Sequence, residues 1–335
     1  MGLRSALFRL NERVKRTAPG YMVLAAVVIG LLGGYGAVCF RLLIRSLRDF
    51  VWFGSAEVAS IRSLDWYWIV AIPAAGGLVV GLITRWFAAE VKGHGVPEVM
   101  EAVARKGGAI RPRVVLAKTL ASGVCIASGG SVGREGPIVQ IGSATASTLG
   151  QILNVGARRL RTFVGCGAAA GIAATFNAPV AGALFAVEVV LGDFGLPQFS
   201  PIVISSVAAT VVSHHYLADL PTFVVPAALL DSYRLAHPLE LIAYVGLGLL
   251  AGLLAFSFVK TLYYAEDRIE ASRLPQPLVT ALGGVLVGGI ALFQPGVLGV
   301  GYESINQALT GQPGVTVLLG LLLAKLLATC VTLGS

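Results

Sequence analysis

The chain has 335 residues, of which 56% are hydrophobic and only 13% are charged, and its mean hydropathy is +0.81. A chain this apolar could not cover its surface as a water-soluble globular domain, so the composition predicts a polytopic membrane protein. The formal net charge of +8 would favour nucleic-acid binding in a soluble protein. Here the basic residues mostly flank apolar runs, which indicates membrane topology and no nucleic-acid partner.

Residues 1–17 are predicted to form a cytoplasmic or interfacial helix. Apolar residues recur there at helical spacing, and the end carries five basic residues against one acid. By the positive-inside rule this end lies in the cytoplasm, and a second basic loop at residues 105–113 agrees because two spans separate the clusters. The apolar run that follows is too long for a cleavable signal. We therefore expect a transmembrane domain over residues 18–335.

Six uncharged runs are long enough to span a bilayer: residues 17–40, 66–84, 162–187, 241–259, 274–302 and 304–324. Other apolar segments are shorter or interrupted by Gly and Pro, and such interruptions indicate half-helices that meet near the bilayer midplane. The run 162–187 carries Asn177 and Pro179 at its centre. These residues would cap a restarted helix, or the site is a simple kink.

The sequence Gly133-Arg134-Glu135-Gly136-Pro137 places a carboxylate in a glycine-rich apolar region. An acid within the membrane costs on the order of a few kcal/mol unless it faces protein or a water-filled path, so Glu135 is a candidate functional residue. Proline suits the first helical turn, and glycine lets backbone N–H groups approach a ligand. The motif predicts a helix N-terminus directed at an anion. The alternative is a structural ion pair between Arg134 and Glu135.

A similar segment lies upstream, where Gly93-His94-Gly95-Val96-Pro97 again places glycines before a proline at an expected helix start. It too would present N–H groups to an anion. Alone, such a pattern serves an ordinary turn before a helix. Two such segments on one chain favour an anion path.

The sequence contains no constellation for enzyme chemistry. The four cysteines are scattered in apolar contexts, and His214 and His215 are adjacent rather than one helical turn apart, so neither set predicts a metal site. No phosphate loop, dinucleotide fingerprint or nucleophile elbow occurs. We expect neither an enzyme activity nor a cofactor.

Together these motifs resemble the CLC family of chloride channels and proton/chloride exchangers. The segments 93–97 and 133–137 resemble the first and second selectivity segments of that family, and Phe176-Asn177-Ala178-Pro179 with Glu188 resembles the segment that follows. Lys118 falls where the family keeps a lysine, 17 residues before Glu135. The sequence Gly299-Val300-Gly301-Tyr302 resembles a glycine-rich turn of the second half.

The resemblance implies an all-α membrane protein built as an inverted-repeat bundle with broken and re-entrant helices, in a bacterial plasma membrane. It implies a homodimer in the lipid bilayer, with one path per subunit for chloride and similar anions. The gate would be Glu135, whose carboxylate mimics an anion and withdraws or is protonated to admit chloride. Anion-binding residues would be Gly93, His94, Gly95, Val96, Pro97, Gly133, Arg134, Gly136 and Pro137. Proton or path residues would be Lys118, Glu188 and Val189.

Three departures from the family pattern bear on the mechanism. His94 replaces the usual serine of the central site, and its ring would donate to chloride or turn away to a backbone carbonyl. Val189 stands where exchangers commonly carry an internal proton glutamate, which favours channel-like conduction over the alternative, a proton-coupled antiporter with another proton route. The chain ends at Ser335, before the family's third selectivity segment, so we expect a fragment.

Overall fold

The computed structural model describes residues 18–54, 61–87, 95–217, 237–272, 274–311 and 313–335. Within these ranges the chain forms helices joined by turns, and no strand occurs. The predicted all-α class is therefore confirmed. The predicted helix at residues 1–17 lies outside the described residues, and so do Gly93 and His94.

The first seven helices are α1 (Ala18–Val51), α2 (Trp66–Phe87), α3 (Val96–Arg105), α4 (Arg113–Ala127), α5 (Glu135–Ile152), α6 (Ala157–Phe176) and α7 (Pro179–Phe185). Helix α7 continues directly into a π-helical turn, Ala186–Leu191. The remaining helices are α8 (Leu196–Leu217), α9 (Glu240–Ala271), α10 (Gln276–Phe293), α11 (Tyr302–Leu309) and α12 (Val315–Gly334), and a short 3-10 helix (Pro295–Val297) follows α10.

Five helices of the described ranges are long and apolar enough to cross a membrane: α1, α2, α9, α10 and α12. Two predicted spans are wrong in extent. Helix α10 ends at Phe293, so the run 274–302 is not one helix, and the run 304–324 is divided between α11 and α12. Gly311, at φ +71°, and Pro313 separate those two helices, since neither continues a helix readily.

The run 162–187 is two helices rather than one kinked span. Helix α6 ends at Phe176, and Asn177 follows in the left-handed conformation with φ +57° and ψ +40°. Pro179 then occupies the first position of α7, where its missing N–H costs no helical hydrogen bond. The restarted helix is therefore confirmed, and the simple kink is wrong.

The chain divides into two compact units. Among the described residues, unit 1 comprises 18–43, 87, 95–123 and 134–217, whereas unit 2 comprises 44–54, 61–86, 124–133 and the described residues from 237 onward. In unit 1, α5 and α6 approach closely at Gly142 and Gly167. A Cβ on Gly142 would lie 2.3 Å from the carbonyl oxygen of Gly167, and a Cβ on Gly167 would lie 2.2 Å from that of Gly142, so only glycine allows this approach. This glycine contact fixes α5, the helix that begins with Glu135, against the largely buried α6.

Unit 2 has its own apolar core, which includes Trp52, Ile61, Ile69, Val287 and Val297. The indole N–H of Trp52 donates to the carbonyl oxygen of Ala127 at 2.9 Å, so this buried aromatic ring keeps a partner for its polar atom. The hydrogen bond anchors the end of α4, from which the chain leads to residues 133–137.

Candidate functional site

Helix α5 begins at Glu135, as the motif predicts, and its first turn contains Glu135, Gly136 and Pro137. The first amides of a helix have no intrahelical partner and carry partial positive charge. The side chain of Arg134, which precedes the helix, makes no capping hydrogen bond. Glu135 itself is half-buried. A carboxylate that can be ionised therefore lies at a helix end that favours negative charge.

Arg134 contacts the end of α6. One of its terminal nitrogens lies 3.5 Å from the carbonyl oxygen of Thr175, to which it donates. Thr175 belongs to the last turn of α6, where carbonyl groups lack helical partners and favour a cation. The guanidinium thus holds the loop before α5 against the α6 C-terminus, within unit 1.

The two predicted anion-binding segments meet in unit 1. Gly95 precedes α3 with φ +96°, a conformation that glycine adopts readily. A Cβ at this position would lie 2.5 Å from the carbonyl oxygen of Gly136 and 2.9 Å from its Cα atom. The start of α3 therefore touches the start of α5, and only the absence of a side chain allows this approach.

Glu98 also lies at this site, although it belongs to neither predicted anion-binding segment. Its Oε2 atom accepts a hydrogen bond from the backbone N–H of Gly95 at 2.6 Å. An acid at the third helical position is the ordinary place for a side chain that folds back on the cap residue, so the signal was present in the sequence. Because the Gly95 N–H donates to the carboxylate of Glu98, this amide is not available to bind an anion.

Glu188 and Val189 lie in the π-helical turn that follows α7, and both side chains are exposed on the single chain. Helix α3 packs against this turn as well as against α5. Single π-helical turns inside helices occur frequently at functional sites. The structure therefore brings the segment of Glu188 beside α3, although Val189 supplies no titratable group.

Of the other predicted residues, Val96 and Pro97 form the start of α3, and Pro137 is buried in the first turn of α5. Gly133 lies in the loop before α5. Lys118 is on α4 and is 5% exposed. Thus one contiguous region of unit 1 contains the predicted gate, the described residues of the first selectivity segment and the turn of Glu188.

A model of the family described as "Voltage gated chloride channel" matches residues 76–335. A ClcB-like chloride channel protein of Ralstonia nicotianae is 34% identical over 292 residues, which cover 85% of this chain and 66% of that protein. The voltage-gated ClC-type chloride channel ClcB of Escherichia coli is 32% identical over 321 residues, or 93% of this chain and 74% of its own length. This chain thus spans about two thirds to three quarters of the length of these relatives.

Two solved structures share the fold. The structure of a slow cyanobacterial Cl⁻/H⁺ antiporter superposes with a TM-score of 0.79 at 22% sequence identity. The matched region covers 94% of this chain and 73% of the antiporter chain. The structure of a CLC-type fluoride/proton antiporter superposes with a TM-score of 0.78 at 23% sequence identity. The matched region covers 94% of this chain and 75% of that antiporter chain. At these identities the likeness concerns the arrangement of helices.

Proposed function

Because the chain belongs to the CLC family of voltage gated chloride channels, and is thus an integral multi-pass membrane protein, we propose that it transports chloride through a path gated by Glu135. The observation that carries this proposal is the contact between the starts of α3 and α5 at Gly95 and Gly136. Two helix N-termini converge there beside a half-buried carboxylate.

Backbone amides at these two helix starts supply the attraction for the anion. A helix N-terminus acts as roughly half a positive charge, which attracts chloride without the full cation that would hold it too tightly for rapid passage. Pro97 and Pro137 carry no N–H, and the amide of Gly95 already donates to Glu98. The donors proposed for chloride are therefore the amides of Val96 and Gly136.

Glu135 acts in this proposal as a tethered anion. Its ionised carboxylate is stabilised by the same N-terminus of α5 that attracts chloride, so the two compete for one region. Protonation removes the negative charge of the side chain and leaves the amides to chloride. Anion flux through the wild-type protein is therefore expected to rise as the pH falls.

Channel-like conduction is the favoured form of transport because Val189 cannot carry a proton. The alternative is a proton-coupled antiporter, and one observation supports it: Glu188 is an exposed carboxylate on a turn that packs against α3. Two proteins of known structure with the same fold are also antiporters. In sealed vesicles, an imposed chloride gradient drives uphill proton movement only if the protein is an exchanger.

We also propose that the protein is a homodimer in a bacterial plasma membrane with a cytoplasmic N-terminus. The basic residues near that end and in the loop between α3 and α4 support this orientation. Most side chains of α9 are exposed and apolar, which suits contact with lipid.

The gate is tested by chloride efflux from liposomes between about pH 4 and pH 8. Glu135→Gln is expected to abolish the pH dependence while flux persists or rises, because the amide cannot ionise. Glu270→Gln, at an exposed position near the end of α9, is the matched control and is expected to behave like the wild type. An E135Q profile that overlays the wild-type profile would remove Glu135 from the gate.

A further inference from the structure

Three polar residues of α12, Lys325, Thr329 and Thr332, follow one another at intervals of four and three residues. That spacing places them on one face of the helix, and we call them the polar stripe of α12. The helix is otherwise apolar enough to cross a membrane. Polar groups in such a helix cost free energy unless they form hydrogen bonds. The hydrogen-bond partners of the stripe therefore indicate its role.

Two members of the stripe hold Ser131. The backbone N–H of Ser131 donates to Oγ1 of Thr332 at 3.0 Å, and its hydroxyl lies 3.2 Å from Oγ1 of Thr329. Thr332 donates its own hydroxyl proton to the carbonyl oxygen of Ala328 at 2.8 Å, which leaves its oxygen free to accept from Ser131. Ser131 is 0% exposed. Both its backbone and its side chain are therefore bound to α12.

The third member of the stripe holds the turn that precedes α11. The ammonium nitrogen of Lys325 donates to the carbonyl oxygens of Val297 at 2.9 Å and Gly299 at 2.7 Å. Gly301, the residue before α11, has φ +92° and lies so near that a Cβ there would be 3.2 Å from the lysine Cε and Nζ atoms. The lysine thus fixes residues 297–301 through two hydrogen bonds to their carbonyl oxygens.

The two segments held by the stripe also bind each other. The N–H of Gly299 donates to the carbonyl oxygen of Gly129 at 3.2 Å, and Gly129 has φ +101°. The loop at residues 129–131, the turn at residues 297–301 and the polar stripe therefore form one network, and every member belongs to unit 2.

This network lies just before the gate in the chain. Ser131 precedes Glu135 by four residues, so even a fully extended chain keeps their Cα atoms within roughly 14 Å. We propose that the polar stripe of α12 is a positioning site for the gate. It fixes the loop that carries Glu135 into the first turn of α5, and so sets how readily the carboxylate leaves the anion site. This role rests on the proposed function, in which Glu135 is the gate.

Thr332→Val tests the role, because valine keeps the shape of threonine but cannot accept the Ser131 N–H. Loss of one buried hydrogen bond corresponds to about a fivefold change in an equilibrium. We expect T332V to raise chloride efflux at neutral pH about fivefold and to move the half-maximal pH upward, because a loosened loop releases the carboxylate more readily. Thr332→Ser keeps the hydroxyl and is expected to restore the wild-type profile.

Thr316→Val is the matched control, since Thr316 is an exposed residue on the same helix. Each substitution is also measured in the Glu135→Gln background, where T332V is expected to cause no additional pH effect because no titrating gate remains. Gel filtration in detergent checks that each variant is folded. If T332V does not fold, Ser131→Ala removes only the contact with Thr329 and is expected to shift the profile in the same direction by less.

The outcomes separate the two proposals. A T332V or S131A profile identical to that of T316V overturns the positioning role and leaves the Glu135 gate standing. Efflux that falls equally at every pH, without a shift in the half-maximal pH, also overturns it, because the stripe would then act in folding alone. An E135Q profile identical to that of the wild type overturns the gate, and the positioning role with it.

Discussion

Helices α3 and α4 can be compared with α11 and α12, because the two pairs repeat one plan. Each pair begins after a Gly-x-Gly sequence, at residues 93–95 and 299–301, and continues into Leu-Ala-Lys-x-Leu-Ala, at residues 116–121 and 323–328. The glycine before the first helix has a positive φ in both pairs, +96° at Gly95 and +92° at Gly301. Both turns therefore favour glycine, although ψ differs, at −63° for Gly95 and +10° for Gly301.

The groups that approach the two turns differ. Gly95 meets the backbone of Gly136, and its amide donates to the carboxylate of Glu98. Gly301 meets the side chain of Lys325, whose ammonium donates to carbonyl oxygens of the same turn. The same Gly-x-Gly pattern thus places a helix N-terminus against a second N-terminus in unit 1, whereas in unit 2 a lysine side chain holds the turn. The glycine pattern alone does not make an anion site.

Alanine substitutions at Gly95 and Gly301 should have the largest and most unequal effects. Both substitutions cost about 1 to 2 kcal/mol for the positive φ. Gly95→Ala also drives a Cβ to 2.5 Å from the Gly136 backbone, whereas Gly301→Ala meets the end of a flexible lysine at 3.2 Å. We expect G95A to abolish chloride efflux and to lower the melting temperature in detergent by roughly 5 °C or more. G301A should keep most of its efflux.

Equal losses of efflux in G95A and G301A would mean that the contact between the starts of α3 and α5 is not what transport requires. Gly156→Ala is a suitable control, since Gly156 also precedes a helix but has an ordinary φ of −66° and open space around its Cα atom. Its melting temperature and efflux are expected to match those of the wild type.

Removal of the lysine charge in unit 2 should have the next largest effect. Lys325→Met leaves the carbonyl oxygens of Val297 and Gly299 without their donor, at about 1 to 3 kcal/mol for each buried group left unsatisfied. We expect a melting temperature several degrees lower than that of the wild type. Lys325→Arg keeps a charge and N–H donors and should lose less. Lys260→Met, at an exposed position on α9, is the control, and a K325M protein as stable as K260M would contradict the prediction.

The sequence predicted those features of the fold that depend on neighbouring residues. Pro137 and Pro179 indicated helix starts because proline suits the first turn, and Asn177 marked a break because asparagine tolerates the left-handed conformation. The division of the run 304–324 was missed because no charged residue interrupts the run, although Gly311 and Pro313 lie where the two helices separate.

Contacts between distant parts of the chain could not be predicted from the sequence alone. The hydrogen bond from Ser131 to Thr332 joins residues 201 positions apart, and the contact of Gly95 with Gly136 depends on how α3 packs against α5. Glu98 is a different case. Its position three residues after the cap glycine is a local signal, from which the hydrogen bond to the Gly95 N–H could have been predicted.

The smallest effect is expected for a substitution of Glu98, at the start of α3. Its carboxylate takes the amide of Gly95 and puts a negative charge where chloride is proposed to bind. Charges near a helix N-terminus contribute about 0.3 to 1 kcal/mol, so Glu98→Gln should tighten chloride binding by roughly two- to fivefold in calorimetry. Glu303→Gln, at the start of α11, is the matched control and should leave chloride affinity unchanged, because that helix start is not part of the proposed path. Weaker chloride binding in E98Q would show that the carboxylate serves the site by holding Gly95 in place, rather than by competing with the anion.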